Sequence, residues 1–218
     1  MYTKGNYTHS YNNTKRIDIT NKKIILKENT ENQNIPYSKI TQIQLKLFDF
    51  GGEVLLENAN IKFYTSMKAL IILFDITNTN SFNNIKNTIS ICKNNYTKNK
   101  KEPTNIADIA DNNIKQPECF NEIPILIVGN KSDLNIERSI QKNQIDDLIL
   151  DLNKDNSYSF IKYHEISVKN NSGIDDIFND IIYYYFKRKI DNDVISINNN
   201  NINNINDNQN KINENNKK

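Results

Sequence analysis

Short apolar runs and longer amphipathic segments alternate along most of this chain. Residues 17–26 and 40–48 show strand-like alternation, with apolar side chains at Ile17 and Ile19, at Ile24 and Leu26, and at Ile43, Leu45 and Leu47. The polar, proline-containing stretch between them predicts that these two strands form an antiparallel pair. Continuous apolar runs at 69–74 and 123–128 are typical of strands that are covered on both faces.

Segments with helical spacing separate the later strands. Residues 81–92, 136–152 and 172–189 repeat apolar side chains at intervals of three and four positions, which predicts helices with one buried stripe. Residues 158–166 predict a last strand. Strands that alternate with helices predict an α/β domain with a mostly parallel sheet, whose ligands bind outside the carboxyl ends of the strands.

Two segments depart from these periodicities. Residues 94–122 are rich in Asn and Lys and contain two prolines, and residues 191–218 consist mainly of Asn, Ile, Asp and Lys. Such compositions bury too little apolar surface to offset the entropy of ordering the chain. We therefore expect a domain over residues 1–190, with a low-complexity insertion at about 94–122 and a disordered tail at 191–218.

The composition narrows the functional classes. The 218 residues carry a net charge of +2, which does not indicate the clustered basic face of a nucleic-acid binder. The two cysteines are not in a Cys-x-x-Cys spacing, so we expect free thiols rather than a disulfide framework. Because the first residues are polar and no apolar run is long enough for a bilayer, we expect a cytoplasmic protein.

A polar motif, Gly129-Asn130-Lys131-Ser132-Asp133, follows the apolar run at 123–128. The Asp133 carboxylate can accept hydrogen bonds from the ring N–H and the exocyclic amino group of guanine, and the same carboxylate rejects adenine. Asn130 can bind the base edge and brace neighbouring loops, and the stem of Lys131 can lie along the ring. In isolation, these residues are equally typical of a polar turn after a strand.

Two further motifs follow other predicted strands. The Asp49 carboxylate can hold Mg²⁺ through water, and the Gly52 N–H can approach a terminal phosphate, although a tight turn is the simpler interpretation of this motif alone. After the strand at 158–166, Ser167-Val168-Lys169 offers backbone amides to the guanine carbonyl. The three motifs in this order predict a binding site for a guanine nucleotide with Mg²⁺.

The chain resembles the Ras-like small GTPases and, within them, the Rab family. The resemblance is carried by the motifs above, by Lys46-Leu47-Phe48-Asp49-Phe50-Gly51-Gly52-Glu53, and by Asp75-Ile76-Thr77-Asn78 with Ser81-Phe82. It implies a three-layer domain of the P-loop GTPase type that binds GTP or GDP with Mg²⁺, hydrolyses GTP slowly and orders its switch segments with the γ-phosphate. It also implies a role in vesicle transport with effectors, an exchange factor and a GTPase-activating protein.

The resemblance assigns roles to individual residues. Thr14 matches the switch threonine that meets Mg²⁺ and the γ-phosphate, and Asp49 is the second candidate for the metal. Asn130, Lys131 and Asp133 match the base-specificity motif. Ser167, Val168 and Lys169 match the last nucleotide motif. Glu53 stands where the family has the glutamine that orients the attacking water, so it is the candidate catalytic residue, and its negative charge predicts altered hydrolysis.

Two departures from the family pattern set further expectations. The 218 residues contain no Gly-x-x-x-x-Gly-Lys-Ser/Thr loop, which in the family follows an interior strand between those predicted at 40–48 and 69–74. We expect an N-terminally incomplete chain that lacks the first strand, the phosphate loop and the first helix; the alternative is a nucleotide-independent interaction module on the same fold. No cysteine lies near the last residue, so we expect no lipid anchor and, at most, peripheral attachment to endomembranes through partners.

Overall fold

The computed structural model describes residues 17–25, 42–51, 61–64, 66–99, 117–154 and 157–186, and every structural statement below concerns these ranges. The chain divides into two compact units, Met1–Asn179 and Asp180–Lys218. The first unit contains all the strands and the helices α1 to α4. The elements in chain order are β1 (Ile17–Ile25), β2 (Gln42–Phe50), α1 (Ile61–Tyr64), β3 (Leu70–Asp75), α2 (Thr79–Asn83), α3 (Ile85–Asn99), β4 (Ile125–Asn130), α4 (Lys142–Leu152) and β5 (Ile161–Glu165), followed by a helix α5 over 174–186.

Three of the strands form a parallel sheet in the order β3-β4-β5, as the alternation of strands and helices predicts. In this register Asp75 lies beside Asn130, and Gly129 lies beside Glu165. The carboxyl ends of all three strands therefore meet at one edge of the sheet. The predicted α/β fold class is confirmed. The motif at residues 129–133, which the sequence predicts to bind guanine, lies at the edge where parallel sheets bind their ligands.

The hydrophobic core lies on one face of this sheet, against α3 and α4. It contains Ile72, Phe74, Ile125 and Ile127 from the strands and Ile85, Ile89, Cys92, Tyr96, Ile145 and Leu148 from the helices. Leu126 and Val128, which point to the opposite face of β4, are fully buried as well. Burial of each such aliphatic side chain contributes about 1.5–3 kcal/mol, and burial on both faces explains the uninterrupted apolar run of β4.

The strands β1 and β2 form a separate antiparallel sheet, which confirms the pairing predicted from their alternation. The Phe50 ring stacks on Tyr64 of α1 with 5.8 Å between the ring centroids. Because Tyr64 is 3% exposed and belongs to the core, this contact joins the hairpin to the rest of the first unit.

The two sheets are not hydrogen-bonded to each other in the described part of the chain. There, β2 pairs with β1 alone and β3 pairs with β4 alone. Leu73 in β3 is 56% exposed, whereas its neighbours Ile72 and Phe74 are 7% and 2% exposed. This break in strand pairing falls between β2 and β3, which correspond to the strands predicted at 40–48 and 69–74. The family pattern has its interior strand between these two.

Two predicted helices have different bounds in the structure. The helix predicted at 81–92 is divided, and Asn78 caps its first part by accepting from the backbone N–H groups of Asn80 and Ser81 at 3.0 and 3.3 Å. The second part, α3, continues to Asn99 and so enters the stretch predicted to be irregular. Residues 132–137 form a 3₁₀ turn, so the helix predicted at 136–152 begins at Lys142.

None of the helices within the described ranges combines the length and the apolar character needed to cross a bilayer.

Candidate functional site

The loop after β4 begins with a left-handed residue. Lys131 has φ +70°, a conformation that costs a non-glycine residue on the order of 1 kcal/mol. The Leu134 N–H donates to the Lys131 carbonyl at 2.8 Å, and the Ser132 N–H donates to the Ile166 carbonyl at 3.0 Å. These bonds fix the loop against the end of β5, so that the side chains of Asn130, Lys131 and Asp133 all lie at the carboxyl edge of the sheet.

The Asp133 carboxylate is held from two sides. The Ser167 hydroxyl donates to Oδ1 at 2.5 Å, and the Lys169 ammonium lies 3.7 Å from Oδ2. The hydrogen bond from Ser167, helped by nearby Lys169, keeps the pKa of Asp133 below its ordinary value. An ionised carboxylate has about four acceptor positions, so Asp133 retains capacity for the N–H groups of a ligand.

Asn130 braces the two loops. Its side-chain oxygen accepts from the backbone N–H of Val168 at 3.1 Å. Ser167 is 1% exposed and its hydroxyl also accepts from the Asn170 N–H at 3.1 Å. The turn closes through Gly173, which has a φ of +72° and at which a Cβ would lie 2.8 Å from the Glu165 carbonyl, so that both the conformation and the space require glycine.

An ion-pair network behind these loops was not predicted from the sequence. Arg138 donates to Glu165 Oε2 at 2.8 Å and to the Asn135 side chain at 2.8 Å. The Tyr163 hydroxyl donates to Glu165 Oε1 at 2.7 Å. The guanidinium of Arg138 lowers the pKa of Glu165, although partial burial opposes this, whereas burial and the bond to Glu165 raise the pKa of Tyr163.

Arg138→Met is expected to destabilise the fold at neutral pH and to have little effect in acid. The folded-state pKa of Glu165 lies below its ordinary value of 4.5. The contribution of the pair is therefore fully present above that value and disappears as the pH falls through the folded-state pKa. For this partly buried pair we expect a loss of about 1–2 kcal/mol near neutrality, measured by urea unfolding from about pH 7 to about pH 3.

The matched control for this experiment is Lys23→Met, which removes one positive charge from an exposed position on β1. Its effect on the free energy of unfolding should be small at every pH. A destabilisation by Arg138→Met that is equally large at both ends of the pH range would show that its ion pair with Glu165 is not responsible.

The structure brings one group of the predicted site residues together. It gathers Asn130, Lys131, Asp133 and the segment 167–169, whereas Thr14, Gly52 and Glu53 lie outside the described residues. The strand β2 continues past the predicted end at residue 48, so Asp49 lies within it, exposed and opposite Asp18 of β1 rather than after the strand. This is a correction to the predicted strand end.

The gathered residues do not include a set of candidate ligands for magnesium. Within the described ranges, no three or more His, Cys, Asp or Glu side chains come together as candidate ligands for a metal. Thr14 is outside these ranges, and Asp49 lies in the two-stranded sheet. The magnesium site stays a prediction from the sequence. By contrast, the acceptors at Asp133 fit the donor groups of a guanine base.

The parallel sheet, the helices α3 and α4 on one face and the polar loops at the carboxyl edge define an α/β domain of the GTPase type. The family model described as "Ras family" matches residues 1–187. The chain therefore belongs to the Ras family.

The chain is similar to several Ras-related proteins. It is 34% identical over 172 residues to "Ras-related protein RabS" of Dictyostelium discoideum, covering 74% of this chain and 63% of that protein. It is 25% identical over 148 residues to "Ras-related protein Rab-27B" of Bos taurus (67% of this chain, 56% of that protein). It is 26% identical over 137 residues to "Ras-related protein Rab-8B" of Homo sapiens (63% of this chain, 52% of that protein). These matches span 52–63% of the relatives' lengths.

Proposed function

We propose that this chain binds the guanine base of GTP or GDP between the loop after β4 and the loop after β5. The observation that carries this proposal is the geometry of Asp133, which Ser167 holds at 2.5 Å while Lys169 lies beside the second oxygen. A carboxylate fixed in this way before the ligand binds does not have to be ordered when the base arrives.

The arrangement supports guanine over adenine. Asp133 accepts hydrogen bonds from the ring N–H and the 2-amino group of guanine. Adenine has an acceptor in place of that ring N–H and lacks the amino group, so the carboxylate would be left without its donors. Lys131 contributes its aliphatic stem to one face of the base.

Membership of the Ras family and the Rab-named relatives support a wider role. In this proposal the chain is a guanine-nucleotide-dependent switch in vesicle transport, with Mg²⁺ bound beside the phosphates and slow hydrolysis of GTP. Protein effectors read its state, while an exchange factor and a GTPase-activating protein set it. It associates with endomembranes peripherally, through these partners. In this proposal the metal and the phosphates are contacted by Thr14, Asp49 and Gly52. Glu53 takes part in the hydrolysis of GTP.

The direct test is an NMR titration of the ¹⁵N-labelled chain with GDP and, separately, with ADP. We expect GDP to bind at least about tenfold more tightly and to shift the amide resonances of residues 130–133 and 167–169. Because phosphate-cradling loops supply much of nucleotide affinity and the 218 residues contain no such motif, we expect a dissociation constant weaker than about 1 µM. Equal responses to both nucleotides, or none to either, would favour a nucleotide-independent interaction module.

A further inference from the structure

Side chains at the end of β3 and in the turn after it form hydrogen bonds with one another and with the backbone of the same segment. Asp75 Oδ1 accepts from the backbone N–H of Thr77 at 2.9 Å and from the Thr77 hydroxyl at 2.7 Å. The backbone N–H of Asp75 donates to Ser81 Oγ at 3.0 Å. The carboxylate of Asp75 is therefore fixed in one orientation by its own turn.

The second carboxylate oxygen of Asp75 faces the loop after β4. This loop runs from Asn130 to Ser139 and is called the base loop below. The Lys131 ammonium lies 2.6 Å from Asp75 Oδ2, and the side chain of Asp75 is 21% exposed. Partial burial opposes ionisation, but the bonds from Lys131 and Thr77 outweigh it and lower the pKa of Asp75. A charged carboxylate on the turn thus meets the ammonium of a residue in the base-reading motif.

Backbone hydrogen bonds join the same two segments on either side of this ion pair. The Ile76 N–H donates to the Asn130 carbonyl at 3.2 Å, and the Ser139 N–H donates to the Ile76 carbonyl at 2.9 Å. The Ser139 hydroxyl donates to the Thr77 carbonyl at 3.2 Å. The turn after β3 therefore contacts the base loop at its beginning and at its end, with the ion pair between the two contacts.

We propose that Asp75 is a positioning residue of the nucleotide site, which holds the Lys131 ammonium so that the lysine stem lies ready beside the base. This inference rests on the proposed function, since it concerns the same site. Asp75 acts through Lys131 and does not itself contact the base.

The physical reason is the entropy of a long side chain. A lysine that is free to move loses rotamer entropy when it is ordered. Lys131 is restricted by its left-handed backbone and by the ion pair with Asp75 before any ligand arrives. Part of the ordering cost is therefore removed from the binding step.

The first measurement follows the Lys131 ammonium itself in the nucleotide-free chain. The readout is lysine side-chain ¹⁵N NMR, in which the Lys131 signal is assigned as the one that is absent from Lys131→Met. We expect Asp75→Asn to lower the order parameter of the Lys131 ammonium. Asp75→Glu, which keeps the charge, should restore part of that order. An ammonium that is equally ordered in Asp75→Asn overturns the proposal.

The second measurement is a double-mutant cycle on GDP affinity, with the NMR titration as its readout. Asp75→Asn should weaken GDP binding about fivefold, as should Lys131→Met, and the double variant should bind no more weakly than either. Coupling of this kind is expected if Asp75 acts through Lys131. If Asp75 only stabilised the turn, its effect would persist in the Lys131→Met background.

Asp151→Asn is the matched control, because Asp151 on α4 forms ion pairs with Lys86 and Lys154 at the surface. It should leave GDP affinity unchanged. Additive effects in the cycle, or tighter GDP binding by Asp75→Asn, overturn the proposal without touching guanine recognition by Asp133. A wild-type chain that does not distinguish GDP from ADP overturns the proposed function instead, and the ammonium measurement still decides whether Asp75 orders Lys131.

Discussion

Asp133→Asn is expected to shift the base preference of the site from GDP towards xanthosine diphosphate, by about 10²-fold in the ratio of the two dissociation constants. In the proposed site the carboxylate accepts both N–H groups of guanine, whereas an amide offers one acceptor and one donor group. Xanthine keeps the ring N–H and has a carbonyl where guanine has its amino group. The amide of the variant therefore matches xanthine and leaves one group of guanine unpaired.

The measurement is a competition titration with the two nucleotides. The amide oxygen of the variant can still accept the Ser167 hydroxyl that now lies 2.5 Å from Asp133, so we expect the loops to keep their shape. Asp146→Asn, at an exposed position on α4, makes the same charge change away from the site and should leave the ratio as it is. A folded Asp133→Asn chain with an unchanged ratio would remove Asp133 from base recognition.

The loops of the proposed base site could be located from the sequence because their positions depend on local patterns. An uninterrupted apolar run marks β4 as a strand buried on both faces, and Asn130 to Asp133 must follow its end. The parallel register places Gly129 beside Glu165, which brings the motif at 167–169 next to Asp133. Two strand ends and the rule for parallel sheets were enough for this part of the candidate site.

The position of Asp49 could not be predicted in the same way. The alternation of apolar residues predicts a strand that ends at residue 48, but Phe50 pairs with Ile17 across the β1–β2 sheet and extends the strand beyond Asp49. Where a strand ends depends on its partner strand, whose paired residues here lie up to 33 positions away along the chain, from Ile17 to Phe50. Alternation within one segment does not contain that information.

The network around Arg138 illustrates the same limit. Ile136 fits the helical spacing of the segment that follows, yet it is fully exposed, because residues 132–137 form a 3₁₀ turn instead. The turn leaves Arg138 facing Glu165, 27 positions further along the chain. In the sequence, Arg138 and Glu165 each look like an ordinary surface charge. Their pairing can be recognised only once the structure places β5 beside the turn.

Gly129→Ala is expected to destabilise the fold by about 1–3 kcal/mol, because the space beside this glycine is already filled. A Cβ at this position would lie 2.5 Å from the Tyr163 hydroxyl, 3.0 Å from Ile76 and 3.2 Å from Phe74. The Tyr163 ring cannot simply swing aside, since its hydroxyl donates to Glu165 at 2.7 Å. The measurement is the free energy of unfolding in urea.

The source of the strain can be isolated with Tyr163→Phe, which removes the hydroxyl that the new methyl group would meet. Alone, this change should cost about 1 kcal/mol through the lost hydrogen bond to Glu165. Combined with Gly129→Ala, it should recover at least about 1 kcal/mol relative to the sum of the two single effects. Gly173→Ala is the contrasting variant, because its strain comes from φ +72° and the Glu165 backbone carbonyl, and Tyr163→Phe should not relieve it. If the effects of Gly129→Ala and Tyr163→Phe are strictly additive, the tyrosine hydroxyl is not the source of the strain. The contacts with Ile76 and Phe74 would then explain why this position requires glycine.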